Sequence, residues 1–245
     1  MNQAAWDEMR YDSRFAGEMS LPGTRDEALA GIDPWLADDF YCGARLLCLG
    51  AGGGRQGPLH AIAGADVTVV DISAKQLAHD AAVAKKLDIK IKLIQASADR
   101  LLGIDDASFD IVIQPVSACY VKNLQAMYKE VYRVLRPGGS YLVQHKQPNS
   151  LHAKCGTDGK IHLTEKMVTG KGLAPTIGAN FSTRERGTVE FAHSLEALLG
   201  GLCESGFSIT RFSEPPRADA FALIGSAEYL ACFVTPYLRI KAIRG

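Results

Sequence analysis

The sequence has no long apolar run and no excess of charge of either sign. No apolar stretch approaches the roughly 18 residues that a membrane-spanning helix needs. The first residues, MNQAAWDEMRYDSRF, lack the basic-then-apolar layout of a secretion signal. The 27 basic and 27 acidic residues give a net charge of zero, so no electrostatic footprint for duplex nucleic acid or an anionic membrane is visible. We therefore expect neither nucleic acid nor a membrane as a partner.

The cysteines lack any spacing typical of a zinc site or a disulfide framework, because no C-x-x-C pair occurs. The six are Cys42, Cys48, Cys119, Cys155, Cys203 and Cys232. The sequence also has no carboxylate cluster of the kind that holds a metal ion. We expect reduced thiols, a cytoplasmic protein and no bound metal.

The most informative stretch is residues 45–73, RLLCLGAGGGRQGPLHAIAGADVTVVDIS. Residues 46–49 form a short apolar run typical of a strand buried on both faces, and a glycine-rich turn and a helix follow it. A second apolar run, residues 67–70, ends in Asp71. This order predicts half of a nucleotide-binding βαβ unit, in which a ligand approaches the glycine backbone and Asp71 accepts hydrogen bonds from a ribose diol. The alternative is a surface turn with Asp71 as a helix cap.

The glycine spacing bears on the kind of nucleotide. A dinucleotide fingerprint G-x-G-x-x-G that begins at Gly50 needs a glycine at its sixth position, where the chain has Arg55. The register that begins at Gly52 ends correctly at Gly57, so the spacing alone leaves a dinucleotide open. A nicotinamide-dependent, NAD(P)-type oxidoreductase therefore stays as an alternative function.

The register Gly50-x-Gly52-x-Gly54 resembles motif I of class I S-adenosylmethionine (SAM)-dependent methyltransferases, (D/E)-x-G-x-G-x-G. Cys48 stands where that family has an acid that helps to order the glycine loop. Two further segments resemble the family, SFDIVI at residues 108–113 and LRPGG at residues 135–139. The resemblance covers about residues 45–144.

The resemblance implies a doubly wound, Rossmann-like α/β fold. Its seven-stranded sheet is mostly parallel, has the strand order 3-2-1-4-5-7-6, and ends the chain with an antiparallel strand. The implied function is methyl transfer from SAM to a small organic acceptor, with a nitrogen or oxygen atom as the favoured target. A catalytically inactive SAM-binding or nucleotide-binding module is a second alternative, because the motif I acid is missing. We predict no oligomeric state.

The resemblance also implies which residues bind the cofactor. Ser97 matches a position that is commonly Asp in the family and bonds the adenine amino group, and Asp99 is a possible substitute for it. Tyr11 lies in a Trp-Asp-x-x-x-Tyr-Asp stretch similar to one that reaches the methionine end of the cofactor. The full predicted set is Tyr11, Gly50, Ala51, Gly52, Gly54, Asp71, Ile72, Gln76, Ser97, Ala98, Asp99 and Gln114.

Three residues are candidates for catalysis. His145 follows the fifth predicted strand, and His193 lies in an aromatic-x-His-Ser segment similar to one beside the family's substrate pocket. Either imidazole would titrate near pH 6.5 if unperturbed, although a base is needed only when the acceptor holds its proton. Tyr120 lies in the segment that faces the transferred methyl. The alternative for His193 is an ordinary residue at the start of a helix.

We predict a single methyltransferase domain over residues 1–245, since a chain of this length forms one α/β domain with a modest insertion. Within it we expect an N-terminal helical cap at residues 1–40 and a SAM-binding core at residues 45–146. Residues 147–192 lack clear periodicity and are rich in glycine, which indicates a lid or substrate-binding insertion.

Overall fold

The computed structural model describes residues 2–8, 21–37, 39–163, 171–173, 184–185 and 187–245. The strands are β1 (Arg45–Leu49), β2 (Asp66–Asp71), β3 (Lys92–Gln95), β4 (Phe109–Gln114), β5 (Leu135–Lys146), β6 (Ala153–Cys155), β7 (Ile161–Leu163), β8 (Gly172–Leu173), β9 (Glu190–Phe191), β10 (Phe207–Ser213) and β11 (Tyr237–Arg244). The α-helices are α1 (Asn2–Glu8), α2 (Arg25–Gly31), α3 (Gln56–Ile62), α4 (Ala74–Leu87), α5 (Leu124–Val134), α6 (Pro148–His152), α7 (Gly201–Glu204) and α8 (Ala227–Ala231).

Seven of these strands form one sheet in the order β3-β2-β1-β4-β5-β11-β10. The pairs among β1 to β5 are parallel, whereas β11 runs antiparallel to both β5 and β10. This arrangement confirms the predicted order and the antiparallel last strand. The chain leaves β1 towards β2 on one side and later returns to β4 on the other. The ends of β1 and β4 therefore flank the topological switch point, where open α/β sheets bind their ligands.

Helices cover both faces of the sheet, which confirms the doubly wound class. On one face, Tyr128 of α5 and Tyr141 of β5 belong to a large apolar cluster. On the other face, Cys48 of β1 and Ile111 of β4 pack in a second cluster beneath α3 and α4. Because both faces are covered, the central strands are apolar in consecutive positions rather than in alternation.

The LRPGG segment at residues 135–139 forms the first part of β5 rather than a turn before it. α5 ends at Val134, and β5 already begins at Leu135, which pairs with Phe109. The pairing of β4 and β5 then shifts, so that residues 136–139 bulge out of the ladder. A Cβ on Gly139 would lie 2.8 Å from the Arg136 carbonyl oxygen, so the bulge closes only on a glycine.

The segment at residues 147–192 contains α6, the antiparallel hairpin β6/β7 and the short pair β8/β9 in its described part. Residues 164–170, 174–183 and 186 lie outside the described residues, and the domain boundaries stay predictions. Across the described ranges, no helix combines the length and the apolar character needed to cross a bilayer.

Gly57, the residue that left a dinucleotide fingerprint open, has a packing role. It lies in the first turn of α3 and is buried against β2. A Cβ there would lie 2.6 Å from Cγ2 of Val69. The close approach of helix and strand therefore explains this glycine without any ligand.

We expect Gly57→Ala to lower the free energy of unfolding by about 1–3 kcal/mol, because overpacking forces the helix away from the sheet. Urea denaturation of both proteins measures the change. Gly200→Ala is the matched control, since its added Cβ meets only an ordinary contact at 3.9 Å. Equal stability of the Gly57 variant and the parent would contradict this packing.

Candidate active site

A cleft of about 730 Å³ opens at the carboxyl ends of β1, β2 and β4. The turn at residues 50–52 and Asp71 form one wall, and residues 96–99 extend it. Residues 115–117, which follow β4, line the cleft next to Gly50. The cleft therefore occupies the switch point of the sheet, where the βαβ unit predicts a ligand.

The glycine turn approaches its neighbours too closely for side chains. Gly50 has φ +57°, and its N–H donates to the Val70 carbonyl at 2.7 Å. A Cβ on Gly50 would lie 2.6 Å from Ser117 Oγ, and one on Gly52 would lie 2.7 Å from Gln76 Cβ. Side chains at these positions would displace the walls of the cleft, so the bare backbone is a requirement of the site.

Asp71 ends β2 inside the cleft and is held in place by backbone amides. The Gly52 N–H donates to Oδ2 at 2.9 Å, and the Ser73 N–H donates to Oδ1 at 2.9 Å. Burial raises the pKa of this carboxyl, and the nearby charge of Asp7 raises it further, while the amide hydrogen bonds oppose them. A carboxylate has about four acceptor positions, so both oxygens can accept further hydrogen bonds from a ligand.

The turn after β3 continues the wall beyond Asp71. The Ala96 N–H donates to the Asp71 carbonyl at 3.1 Å, which joins the two strand ends. Ser97 Oγ donates to Asp99 Oδ1 at 2.5 Å, so the two predicted polar residues act as one unit. Ala98 and the partly exposed Ile72 line the cleft beside them.

Helix α1 lies across the cleft and ties its two sides together. The Asn2 side chain donates to the carbonyls of Tyr120 and Val189, at 3.2 and 2.8 Å, and accepts from the Val189 N–H at 2.8 Å. At the other end of α1, Ser73 Oγ donates to Asp7 Oδ1 at 2.6 Å. α1 therefore connects the start of α4 to residues that follow β4 and precede β9.

Gln76 and Ala51 also line the cleft, as the cofactor prediction requires of them. Gln76 Nε2 donates to the Trp6 carbonyl at 3.4 Å, and the Trp6 ring meets the Tyr120 ring edge-on, 5.3 Å between centroids. Sequence reasoning missed Asn2 and Trp6 as cleft residues. The partners of Asn2 are far away along the chain, so no local pattern signals it, whereas Trp6 lies in the stretch from which we predict Tyr11 alone.

Two predicted cofactor residues lie outside the cleft lining. Gly54, with φ +80°, packs against α4, where a Cβ would lie 3.0 Å from Val83 Cγ2. Gln114 is buried below the cleft, where it accepts from the Tyr141 hydroxyl and donates to Ser117 Oγ at 3.0 Å. Gln114 thus positions a residue of the wall. Tyr11 lies outside the described residues.

The two predicted bases lie behind the wall. The Tyr128 hydroxyl donates to a carbonyl and therefore accepts from His145 Nε2, 3.0 Å away. Burial lowers the pKa of His145 to about 3, so its ring stays neutral. His193 Nε2 donates to the Val121 carbonyl at 2.9 Å, and burial lowers its pKa as well. Neither imidazole is among the residues that line the cleft.

Tyr120 is the predicted catalytic residue that does line the cleft. Burial raises the pKa of its hydroxyl well above the ordinary value, so the hydroxyl keeps its proton at neutral pH. Lys146 Nζ lies 5.6 Å from the centroid of its ring and is paired with buried Glu190 at 3.0 Å. Tyr120 is therefore suited to donate a hydrogen bond and poorly suited to remove a proton.

A second carboxylate reaches the glycine turn from α4. The Gly53 N–H donates to Asp80 Oδ2 at 2.9 Å, and Asp80 is fully buried. Burial raises its pKa to about 6, and the nearby charge of Asp71 adds to the rise. Sequence reasoning missed Asp80, because an acid inside a helix ordinarily faces solvent.

Comparisons with known proteins agree on one family. Residues 47–143 match the family model of the methyltransferase domain. A Bacillus subtilis relative named as an uncharacterized methyltransferase, YbaJ, is 34% identical over 175 residues, which are 70% of this chain and 69% of that protein. The 24-methylenesterol C-methyltransferase 2 of rice is 32% identical over 152 residues, which are 59% of this chain and 41% of that protein.

The fold comparison agrees with the sequence comparison. The crystal structure of a SAM-dependent methyltransferase from Mesorhizobium loti superposes with a TM-score of 0.62 and covers 91% of this chain and 99% of that one, at 22% identity. The chain belongs to the class I SAM-dependent methyltransferases. It is a SAM-dependent methyltransferase enzyme, and its cofactor is SAM. The bare glycine turn and the accessible acceptor positions of Asp71 fit that cofactor.

The raised pKa of Asp80 has a consequence for stability. The folded protein holds this proton more tightly than the unfolded chain, whose aspartate has a pKa near 3.8. The contribution of Asp80 to the free energy of unfolding therefore falls as pH rises from about 4 to about 6. We expect wild type to lose stability relative to Asp80→Asn over this range, and the difference to level off above about pH 7. Urea denaturation of both proteins between pH 4.5 and 8 measures this difference in the free energy of unfolding. A difference that does not change with pH would contradict the raised pKa of the Asp80 carboxyl.

Proposed function

We propose that SAM lies along the cleft with its ribose against Asp71 and its adenine beside Ser97 and Asp99. The single observation that carries this placement is the position of Asp71, whose carboxylate lies in the wall with acceptor positions left over. The methionine portion then extends over Gly50 towards Ser117, where the backbone has no side chain in the way.

The acceptor that we propose is a small organic molecule at the aromatic end of the cleft. Trp6, Tyr120 and Phe191 line this end. The hydrogen bonds from Asn2 to the carbonyls of Tyr120 and Val189 hold α1 over this end of the cleft. In this placement α1 encloses the space around the reacting atoms. An enclosed, partly aromatic site favours a compact organic acceptor over a protein or nucleic acid chain.

When bound, SAM supplies an electrophilic methyl group on a sulfonium. The protein contributes alignment and the exclusion of water, which are worth up to about 7–11 kcal/mol in favourable cases. Tyr120 keeps its proton, so its part is to hold the acceptor by a hydrogen bond. We therefore propose a nitrogen or oxygen acceptor atom that is already unprotonated near neutral pH.

Two predictions about the whole protein stand as proposals beside this one. All six cysteines are free thiols in the structure, which supports a reducing compartment such as the cytoplasm. The contacts of α1 with the cleft support a cap formed by the N-terminal residues.

We expect Asp71→Ala to weaken binding of S-adenosylhomocysteine by about 1–3 kcal/mol, because hydrogen bonds to a charged acceptor are lost. Isothermal titration calorimetry measures the dissociation constant. Asp66→Ala is the matched control, since Asp66 is an exposed acid at the other end of β2. Equal affinities of the two variants would contradict the ribose placement.

The acceptor is tested by incubating the enzyme with SAM and a panel of small aromatic amines, pyridines, imidazoles and carboxylic acids, whose acceptor atoms are unprotonated near neutral pH, and by detecting methylated products by mass spectrometry. We expect at least one of them to be methylated on nitrogen or oxygen, and Tyr120→Phe to raise its KM without changing the affinity for S-adenosylhomocysteine. Tyr132→Phe is the control, since that hydroxyl bonds the carbonyl of Gly245 instead. Methylation on carbon, or of macromolecules alone, would contradict the proposal.

A further inference from the structure

The strand that leads into the glycine turn brings no charge to it. Cys48 occupies the position of the motif I acid, is fully buried, and packs with Ile111 and Val69 in the core cluster. Burial raises the pKa of its thiol well above the ordinary value, so no anion forms there near neutral pH. The turn therefore lacks its usual carboxylate from β1.

Asp80 brings a carboxylate to the same turn from α4, the helix that covers the face of the sheet on which Cys48 packs. Asp80 is the seventh residue of α4. Its Oδ2 accepts from the Gly53 N–H at 2.9 Å, and that N–H is shared with the Gln76 carbonyl at 3.1 Å. The amides of Gly53 and Gly54 both stabilise the ionised carboxylate.

The turn is consequently held by two carboxylates at successive amides. Asp71 accepts from the Gly52 N–H, and Asp80 accepts from the Gly53 N–H, each at 2.9 Å. Hydrogen bonds to ionised groups are roughly twice as strong as neutral ones. Two neighbouring peptide units are thereby oriented, and the remaining backbone of the turn faces the cleft at Gly50 and Gly52.

Burying Asp80 does not by itself benefit the fold. A buried carboxylate loses its hydration, and Oδ1 has no hydrogen-bond partner among the described residues. Gly57 leaves space for that oxygen, since a Cβ there would lie 3.3 Å from it. A neutral residue of similar size would avoid the desolvation, so the charge at this place calls for a role beyond stability.

We propose that Asp80 is a positioning residue for SAM, whose carboxylate holds the glycine turn in its binding conformation from α4, in place of the acid that the family has at position 48. The residue acts through Gly53 and Gly54 and has no need to touch the cofactor. A turn that is ordered before binding loses less conformational entropy on binding, so the affinity for the cofactor is higher.

The test compares Asp80→Asn with wild type at pH 7.5 by calorimetry with S-adenosylhomocysteine and by thermal unfolding without ligand. We expect binding about ten-fold weaker or more, which corresponds to the loss of one charge-assisted hydrogen bond. We expect the unfolding temperature to stay equal or to rise, because the buried charge is gone. Asp88→Asn, at the exposed end of the same helix, is the control and should bind like wild type.

Amide hydrogen exchange of the ligand-free proteins adds a readout that does not involve binding. We expect exchange at Gly53 and Gly54 to be faster in Asp80→Asn, with the amides of β1 and β2 unchanged. Unchanged affinity would overturn the proposal. So would a loss of affinity that comes with a lower unfolding temperature and faster exchange throughout the sheet, because the role of Asp80 would then be structural.

A relocated acid gives a second, independent test. Cys48→Asp is combined with Asp80→Asn, which returns the carboxylate to the family's position. Recovery of affinity towards the wild-type value supports an ordering carboxylate that can act from either position, 48 or 80. A folded double variant that binds no better than Asp80→Asn overturns the proposal that Asp80 acts in place of an acid at position 48. If the double variant does not fold, the comparison of Asp80→Asn with Asp88→Asn decides.

Discussion

The geometry of the cofactor cleft depends on how the backbone amides of the glycine turn are held. The turn leaves β1, which is buried from Leu46 to Leu49, and the methyl group of Ala51 is the one side chain among residues 50–54 that could fix its course. Carboxylates that are largely withdrawn from water supply the missing constraint, Asp71 at the Gly52 amide and Asp80 at the Gly53 amide. In this low-dielectric setting such hydrogen bonds are strong, because little water competes for the amides. The glycine-rich turn therefore adopts one conformation.

The same end of the sheet shows why a cleft of this fold is completed by remote segments. Parallel strands bring only their carboxyl ends and the following loops to the switch point. Asn2 holds α1 across the cleft by hydrogen bonds to the carbonyls of residues 120 and 189. These residues are more than a hundred positions away from Asn2 along the chain. The wall with the glycine turn and Asp71 thus comes from the βαβ core, and the aromatic end with Trp6, Tyr120 and Phe191 comes from segments that surround it.

The histidines illustrate the difference between carrying a reactive group and presenting it. His145 and His193 lie outside the cleft lining, and each ring is buried and bonded to a neighbour, Tyr128 or the Val121 carbonyl. Burial favours their neutral forms, and the bonds fix their rings away from the cleft. Neither histidine therefore presents its ring to the cleft.

The resemblance of three sequence segments to the methyltransferase family implied the strand order, which the structure has. Local signals in the sequence determined the buried strands and the starts of α4 and α5, which are capped by Ser73 and Asn123. These features follow from periodicity, caps and glycine turns, which act over a few residues. Only the tertiary structure decided that Asn2 reaches the cleft, that Asp80 faces the glycine turn and that the histidines do not face the cleft. Burial and long-range hydrogen bonds set those outcomes, and both depend on which distant segments pack together.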